Sequence, residues 1–224
     1  MSNTTQETRI FLKLMRFFKE KNTYLSMIDG AFGAQEINKI NNASSPYWDH
    51  VMQRLGQAGL SAQQVQVIWF KEAEAAPKDT SFANYPLALK EKYLNVMLIL
   101  KQKFPNIRLV YLSPRAYAGF AKTDLNPEPF AWYTGWAIKY LIEDQIKGDP
   151  RTRFNDDNPP MPFLTWGPYL WANGNQPNAQ GMSYTEEDFG PDGTHPSPTG
   201  QEKIAYRLLE FFSKDELGKY WFRP

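Results

Sequence analysis

The chain has 224 residues, of which 42% are hydrophobic and 15% are aromatic, which is typical of one globular domain across residues 1–224. Its 25 lysine and arginine residues nearly balance its 24 aspartate and glutamate residues. No basic block alternates with aromatic residues, so the composition argues against nucleic acid as a partner and favours a small or neutral ligand. The absence of cysteine excludes disulfides, thiolate metal sites and a cysteine nucleophile.

Targeting signals are not visible in the sequence. The longest apolar run, Val96–Leu100, is far shorter than the roughly 18 residues that a membrane span requires, so we expect no such span. The first residues also lack the basic segment followed by an apolar segment that is typical of a signal peptide. Because many exported proteins have no disulfides, these patterns do not define the cellular compartment.

The first half of the chain alternates helical and strand-like patterns. Thr4 and Glu7 have the spacing of a capping box, and apolar residues recur after them at helical spacing to about residue 21. A short apolar run that ends in a glycine-rich turn predicts a buried strand over Tyr24 to Asp29. The next predicted elements are a helix over 46–58 and a strand over 64–70.

The second half continues the alternation. It contains, in order, a predicted helix over 82–104, a strand over 107–112, a helix to about residue 146, a strand over 163–166 and a helix over 198–212. Strands that alternate with helices pair in parallel through crossover connections. We therefore expect an α/β fold, a three-layer α/β/α sandwich with a mainly parallel sheet, whose site lies at the carboxyl ends of the strands.

The motif with the clearest chemistry is Asp192-Gly193-Thr194-His195, in a loop just before the last predicted helix. A carboxylate and an imidazole three residues apart in a tight turn can share a hydrogen bond to Nδ1, which leaves Nε2 free to take a proton from a serine hydroxyl. Gly193 permits turn geometries closed to other residues, and Ser197 followed by Pro198 is typical of a helix start. The alternative interpretation is a surface turn capped by polar residues.

Other candidate ligands do not form a metal site in the sequence. His50 lies within a predicted helix without a partner at metal-ligand spacing, and the pair Asp156 and Asp157 is typical of a solvated loop. No metal or organic cofactor is therefore indicated. Tyr169 and Trp171 follow the last predicted strand, where a substrate would arrive, although core packing is the commoner role of aromatic residues.

The segment from Asp192 to Ser197, followed by Gly200, resembles the last conserved block of the SGNH (GDSL-like) hydrolase superfamily, a DxxH pair that enters a C-terminal helix. The first block of that family is Gly-Asp-Ser or Gly-Gln-Ser-Asn, and Met1-Ser2-Asn3 resembles this block without its first residues. The resemblance implies that Ser2 is the nucleophile, next to the N-terminus of a helix that favours negative charge. The alternative is that Ser2 is an ordinary terminal residue.

The resemblance also implies a flavodoxin-like sheet order of 2-1-3-4-5, in which the central first strand lies upstream of Met1. The chain would then lack that strand, and an export signal could precede it in a longer protein. Loss of a middle strand leaves its two neighbours with unpaired backbone groups across a gap of about two strand spacings, ~9.6 Å.

The family's second block is a glycine that helps to form the oxyanion hole, and Gly33 occupies its place here, with Gly30 in reserve. The third block normally supplies an asparagine, which this chain lacks: the strand ends Trp69-Phe70-Lys71-Glu72. This ending resembles the Trp-x-Gln-Gly-Glu of a sialate or xylan O-acetylesterase branch, with lysine in place of glutamine. Lys71 is therefore the candidate third oxyanion donor, and a surface ion pair with a neighbouring glutamate is the alternative.

Together these features predict a serine esterase that removes a small acyl group, such as acetyl, from a carbohydrate. Ser2 would attack, His195 would relay the proton, and Asp192 would orient the imidazole. Tyr169 and Trp171 would contact a glycan ester substrate. An acyltransferase would use the same residues, and a catalytically silent glycan-binding relative is the alternative from another functional class.

Overall fold

In a computed structural model of the protein, the backbone is described for residues 2–223 and the side chains for residues 4–223. This part of the chain forms six α-helices and three β-strands. In chain order they are α1 (Ser2–Phe17), α2 (Ile37–Ile40), α3 (Pro46–Gln57), β1 (Val67–Phe70), α4 (Tyr85–Lys103), β2 (Leu109–Leu112), α5 (Phe130–Ile146), β3 (Phe163–Trp166) and α6 (Pro198–Lys214).

The three strands form one parallel sheet in the order β1-β2-β3. Val67 of β1 is opposite Leu109 of β2, which is in turn opposite Phe163 of β3. All four residues of β2 are buried, whereas all four residues of β1 are only half-buried. The predicted α/β class with parallel pairing through helical connections is therefore confirmed, and β1 lies unusually open for a strand of such a sheet.

Side chains of β2 point alternately to two buried clusters. Val110 and Leu112 pack with residues of α3, α4 and α5, whereas Leu109 and Tyr111 pack with residues of α1 and α6. This alternation follows from the two-residue period of a strand. The two clusters therefore lie on opposite sides of β2.

Local capping signals account for the helices that the sequence predicts best. Ser45 accepts a hydrogen bond from the amide of Tyr47 at 3.4 Å, with Pro46 in the first turn of α3. Ser197 accepts one from the amide of Gly200 at 3.3 Å at the start of α6. The predicted helices over 46–58 and 198–212, the end of α5 at 146 and the strand over 163–166 are confirmed within two residues.

The predicted N-terminal helix is correct in type but wrong in two details. It ends at Phe17 rather than at about residue 21, and the ammonium group of Lys21 donates to the carbonyl of Met15 at 3.0 Å beyond that end. The predicted capping box is also wrong, because Thr4 and Glu7 lie inside a helix that begins at Ser2. Both side chains instead contact the end of β1.

The predicted strand over Tyr24 to Asp29 is not formed, and residues 25–32 have no regular secondary structure. Side chains of α3 hold the end of this segment: the hydroxyl of Tyr47 donates to the carbonyl of Gly30 at 3.0 Å, and Arg54 donates to the carbonyl of Ala31 at 3.1 Å. A strand also requires a paired neighbour, and none of residues 2–223 forms one beside this segment. An apolar run alone was therefore an incomplete signal.

Candidate active site

The loop that carries the DxxH motif is fixed to a neighbouring loop. Gly193 has φ +65°, and a Cβ atom at this position would lie 1.8 Å from the carbonyl oxygen of Phe120. The amide of Lys122 donates to the carbonyl of Asp192 at 2.9 Å. Only glycine satisfies both the positive φ and this close backbone approach. The motif therefore has the glycine that its geometry requires.

Asp192 and His195 form the hydrogen-bonded pair that the spacing predicts. Nδ1 of His195 lies 2.6 Å from one carboxylate oxygen of Asp192, and the other oxygen accepts the amides of Thr194 and His195, each at 3.0 Å. Partial burial alone would raise the pKa of Asp192, but the hydrogen bonds from His195 and Thr194 lower the pKa to about 2. The carboxylate is therefore ionised at neutral pH and accepts the Nδ1 proton.

The other ring nitrogen of His195 is free within the described part of the chain. No residue there donates to or accepts from Nε2, and the side chain is 33% exposed. Because Nδ1 carries the proton in the neutral ring, Nε2 holds the lone pair. A base of this kind faces solvent at the surface of the molecule.

Backbone hydrogen bonds hold the segment around the Asp192–His195 pair in place just before α6. The amide of Gly190 donates to the carbonyl of His195 at 2.7 Å, and the amide of Ser197 donates to the carbonyl of Asp188 at 3.0 Å. Asp188 is 2% exposed and forms an ion pair with Lys203 at 2.5 Å. This support holds the imidazole in one orientation, as a positioned general base requires.

The first turn of α1 contacts the carboxyl end of β1. The hydroxyl of Thr4 donates to the carbonyl of Lys71 at 3.2 Å, and Glu7 forms an ion pair with the ammonium group of Lys71. The side chains of both charged residues are 1% exposed. Burial lowers the pKa of Lys71, and the negative charge of Glu7 opposes this effect. The predicted alternative of a surface ion pair is wrong, because the partner is a buried residue of α1.

Tyr184, in the loop before the DxxH motif, belongs to the buried cluster that also contains Phe11 of α1. Burial raises the pKa of Tyr184 well above its usual value, and the charges of Glu7 and Asp188 raise it further. Its ring lies 5.6 Å from that of Phe189.

The predicted nucleophile is the residue at which α1 begins, but the Ser2 side chain lies outside the described residues. The position of its hydroxyl relative to His195 therefore stays a prediction. The role of Lys71 as the third oxyanion donor also stays a prediction. In the structure its ammonium group forms an ion pair with Glu7.

The predicted oxyanion glycines lie in the turn that follows residues 24–29. Gly33 precedes Ala34, whose φ of +60° shows that the left-handed position of this turn belongs to alanine rather than glycine. Within the described part of the chain, no hydrogen bond joins Gly33 or Gly30 to His195. Their role in an oxyanion hole stays a prediction.

The predicted substrate-binding aromatics pack towards α5. The indole N–H of Trp171 donates to Glu128 at 2.9 Å, and its ring lies 6.2 Å from that of Trp132. The ring of Tyr169 lies 5.7 Å from that of Trp166. Both predicted residues are half-buried, so each combines a packing role with a partly accessible surface.

Glu128 organises this region and was missed by the sequence analysis. Its carboxylate accepts the amides of Ala118 and Trp132, each at 3.0 Å, in addition to the indole of Trp171. Its position just before α5 is the one signal that could have identified it, because a carboxylate there can cap the free amides of a helix.

A second missed residue is Glu72, which directly follows Lys71. Its side chain is buried, and burial raises the pKa of Glu72 to about 7, although the amide of Ala73 donates to it at 3.0 Å. Its carbonyl accepts the hydroxyl of Tyr93 at 2.6 Å. The end of β1 therefore carries a carboxyl group that titrates near neutral pH.

The other candidate metal ligands, His50 and Asp156, contact neighbouring side chains of the protein. His50 packs against Phe32 with tilted rings whose centroids lie 4.1 Å apart, and Asp156 forms an ion pair with Arg153 at 3.2 Å. Within residues 2–223, no group of three histidine, cysteine, aspartate or glutamate side chains is placed to hold a metal ion. In the same range, none of the helices combines the length and the apolar character that crossing a bilayer demands.

Comparison of the chain with protein-family models and with curated proteins found no match.

Proposed function

We propose that the protein is a serine esterase of the SGNH type, with Ser2, His195 and Asp192 as its triad. One observation carries the proposal: His195 binds an ionised carboxylate at 2.6 Å through Nδ1, and its side chain is 33% exposed. A neutral imidazole held in this tautomer is the general base that a serine nucleophile requires.

The proposed architecture is the three-layer α/β/α sandwich with flavodoxin-like strand order, in which β1, β2 and β3 are the third, fourth and fifth strands. In this proposal the segment around Ser26 takes the place of the second strand. Two buried clusters on opposite faces of the sheet support this arrangement. The start of α1 at the carboxyl end of β1 supports it as well.

The proposed reaction begins with attack of the Ser2 hydroxyl on the ester carbonyl carbon, while its proton moves to Nε2 of His195. The tetrahedral intermediate then expels the alcohol, which leaves with that proton, and Ser2 remains acylated. Water attacks the acyl-enzyme, again through Nε2, and releases the acid. Asp192 stabilises the transient imidazolium without taking the proton.

The proposed oxyanion donors are the amides of Ser2 and Gly33, with Lys71 as the third. The amide of Ser2 belongs to the first turn of α1, where helix amides are free and favour negative charge. One preorganised donor typically contributes ~3 kcal/mol to the barrier reduction. Since Lys71 is paired with Glu7, it would act on the oxyanion only together with that carboxylate.

The proposed substrate is a small acyl ester, such as an acetyl ester, of a carbohydrate. The half-buried rings of Tyr169 and Trp171 support this choice, because aromatic faces stack on sugar rings. An acyltransferase that uses a second alcohol in place of water would depend on the same residues.

Glycan binding without hydrolysis is the second candidate function. It is favoured by Phe82, which is 40% exposed and stacks on Trp132 with ring centroids 5.5 Å apart. Together with Trp171, these rings form a partly exposed aromatic surface. This surface would serve either function.

Hydrolysis of p-nitrophenyl acetate by the 224-residue chain tests the proposal directly. We expect turnover by the wild type and by Ser44→Ala, an exposed loop serine that serves as the matched control. We expect Ser2→Ala to lower kcat/KM by about 10⁴-fold or more, with only the residual turnover that the oxyanion donors support. Saturable binding of an acetylated xylo-oligosaccharide without any hydrolysis would instead favour the second candidate.

A further inference from the structure

A deep groove separates β1 from residues 24–31. It has a volume of about 630 Å³, and its two long walls are the segment from Tyr24 to Ala31 and the strand from Gln66 to Glu72. The walls lie on opposite sides of an open slot that continues the sheet beyond β1. The half-buried state of all four β1 residues is a consequence of this slot.

The register of the sheet shows which backbone groups of β1 face the slot. The carbonyl of Gln66 accepts the amide of Leu109 at 3.2 Å, and that of Phe70 accepts the amide of Ser113, the residue after β2, at 3.0 Å. In a parallel pair, the N–H and C=O of one residue point to the same side and alternate along the strand. Gln66, Ile68 and Phe70 therefore bond to β2, while the backbone groups of Val67 and Trp69 point into the slot, where none of residues 2–223 forms a pairing strand.

The opposite wall also has unpaired backbone. Within the described part of the chain, no hydrogen bond involves the backbone groups of Ser26, Met27 or Ile28. The residues next to them are held, since the amide of Leu25 donates to Asn22 at 3.1 Å and the amide of Ala31 donates to Asp29 at 2.9 Å. Rows of unpaired backbone groups thus border both sides of the slot.

Side chains of the two helical layers close the slot above and below. Val51 and Leu100 line it from the side of α3 and α4, and Phe11 and Phe212 line it from the side of α1 and α6. A segment within the slot would be covered by apolar groups on both of its faces. A strand buried on both faces is a near-continuous run of valine, isoleucine and leucine.

We propose that this slot binds one extended apolar peptide strand, about five residues long, that runs parallel to β1. Such a strand supplies the hydrogen-bond partners of Val67 and Trp69 on one side and of Met27 on the other. An acyl chain or a detergent would match the apolar side chains but would leave these backbone groups unpaired. The carboxyl end of the bound strand would lie near the contact between Thr4 and Lys71.

Hydrogen exchange of individual backbone amides, measured with and without a synthetic peptide, tests this inference. The probe is a peptide of about seven residues with a valine- and isoleucine-rich core between terminal lysines. Its matched control has the same sequence with N-methyl groups on alternate core amides, which removes hydrogen-bond donors and keeps the apolar side chains. The readout is amide protection, so it does not depend on esterase activity.

We expect the peptide to slow exchange at Val67 and Trp69 by at least about tenfold and to leave Ile68 and Phe70 unchanged, because these two amides already bond to β2. The N-methylated peptide should give no protection at the same concentration. The inference is overturned if Val67 and Trp69 are already protected in the free protein. It is also overturned if the control peptide or a fatty acid protects them equally, or if protection rises with protein concentration alone.

Discussion

The hydroxyl of Thr4 donates to the carbonyl of Lys71 at 3.2 Å, across 67 positions of the chain. This bond places the first turn of α1 at the carboxyl end of β1, the edge at which parallel α/β sheets carry their sites. The buried ion pair between Glu7 and Lys71 is a second contact at the same place. The start of α1 and the end of β1 are thereby packed together.

Asp192→Asn tests the orientation of the proposed catalytic base, His195. The amide of asparagine can donate to Nδ1, which would favour the wrong tautomer of His195 while keeping the shape of the side chain. We expect kcat/KM for p-nitrophenyl acetate to fall by about 10³ to 10⁴. Asp124→Asn, in an exposed part of the neighbouring loop, is the matched control and should keep wild-type activity. Equal rates for the two variants would remove Asp192 from the mechanism.

Gly193→Ala tests the contact between the two loops. An added Cβ would meet the carbonyl oxygen of Phe120 at 1.8 Å in a residue with φ +65°. We expect a loss of about 3 kcal/mol or more in the free energy of unfolding, from strain plus the displaced loop. Gly59→Ala has a similar φ of +71° but open space around the new Cβ, and should lose only about 1 kcal/mol. Urea denaturation followed by tryptophan fluorescence measures both values.

Lys71→Met tests the buried ion pair at the end of β1. The substitution leaves the carboxylate of Glu7 buried without its partner, so we expect the free energy of unfolding to fall by about 3 to 5 kcal/mol. The double variant Glu7→Gln with Lys71→Met removes both charges and should recover most of the loss. Failure of the double variant to recover stability would argue against an electrostatic role for the pair.

An exposed ion pair provides the comparison for Lys71. Lys219 lies 2.7 Å from Glu216, and both side chains are at least 48% exposed. Because water screens such pairs, Lys219→Met should not change the free energy of unfolding measurably.

Glu72→Gln tests the pH dependence of stability. Because burial raises the pKa of Glu72 to about 7, the folded state binds this proton more tightly than the unfolded state, where the pKa is 4.5. The contribution of Glu72 to stability is therefore fully present below pH 4.5 and is lost as the pH rises towards 7. We therefore expect the free energy of unfolding of Glu72→Gln, relative to that of the wild type, to be higher at pH 8 than at pH 5. Urea denaturation at the two pH values measures this difference. Glu20→Gln, on an exposed turn, should retain the wild-type slope.

The DxxH loop could be predicted from the sequence because its determinants are neighbours along the chain. Gly193 supplies the positive φ, and Ser197 caps the helix that follows. The hydrogen bond between Asp192 and His195 spans only three positions of the chain. A short motif was therefore sufficient for this half of the candidate site.

Features that depend on distant partners could not be predicted in the same way. Thr4 and Glu7 have the spacing of a capping box, yet their partner is Lys71, more than 60 positions away. The segment around Met27 has the apolar pattern of a strand, but a strand forms only where a neighbour supplies hydrogen bonds. Glu128 looks like an ordinary loop residue until α5 and Trp171 meet at its carboxylate.

Reaction with a serine-directed fluorophosphonate, followed by peptide mapping of the labelled residue, tests the central claim most directly. The account predicts one covalent label, on Ser2, in the wild-type protein, and labelling at least about 100-fold slower in His195→Gln. An unlabelled wild type, a label on a different serine, or equal labelling rates in the wild type and His195→Gln would contradict it.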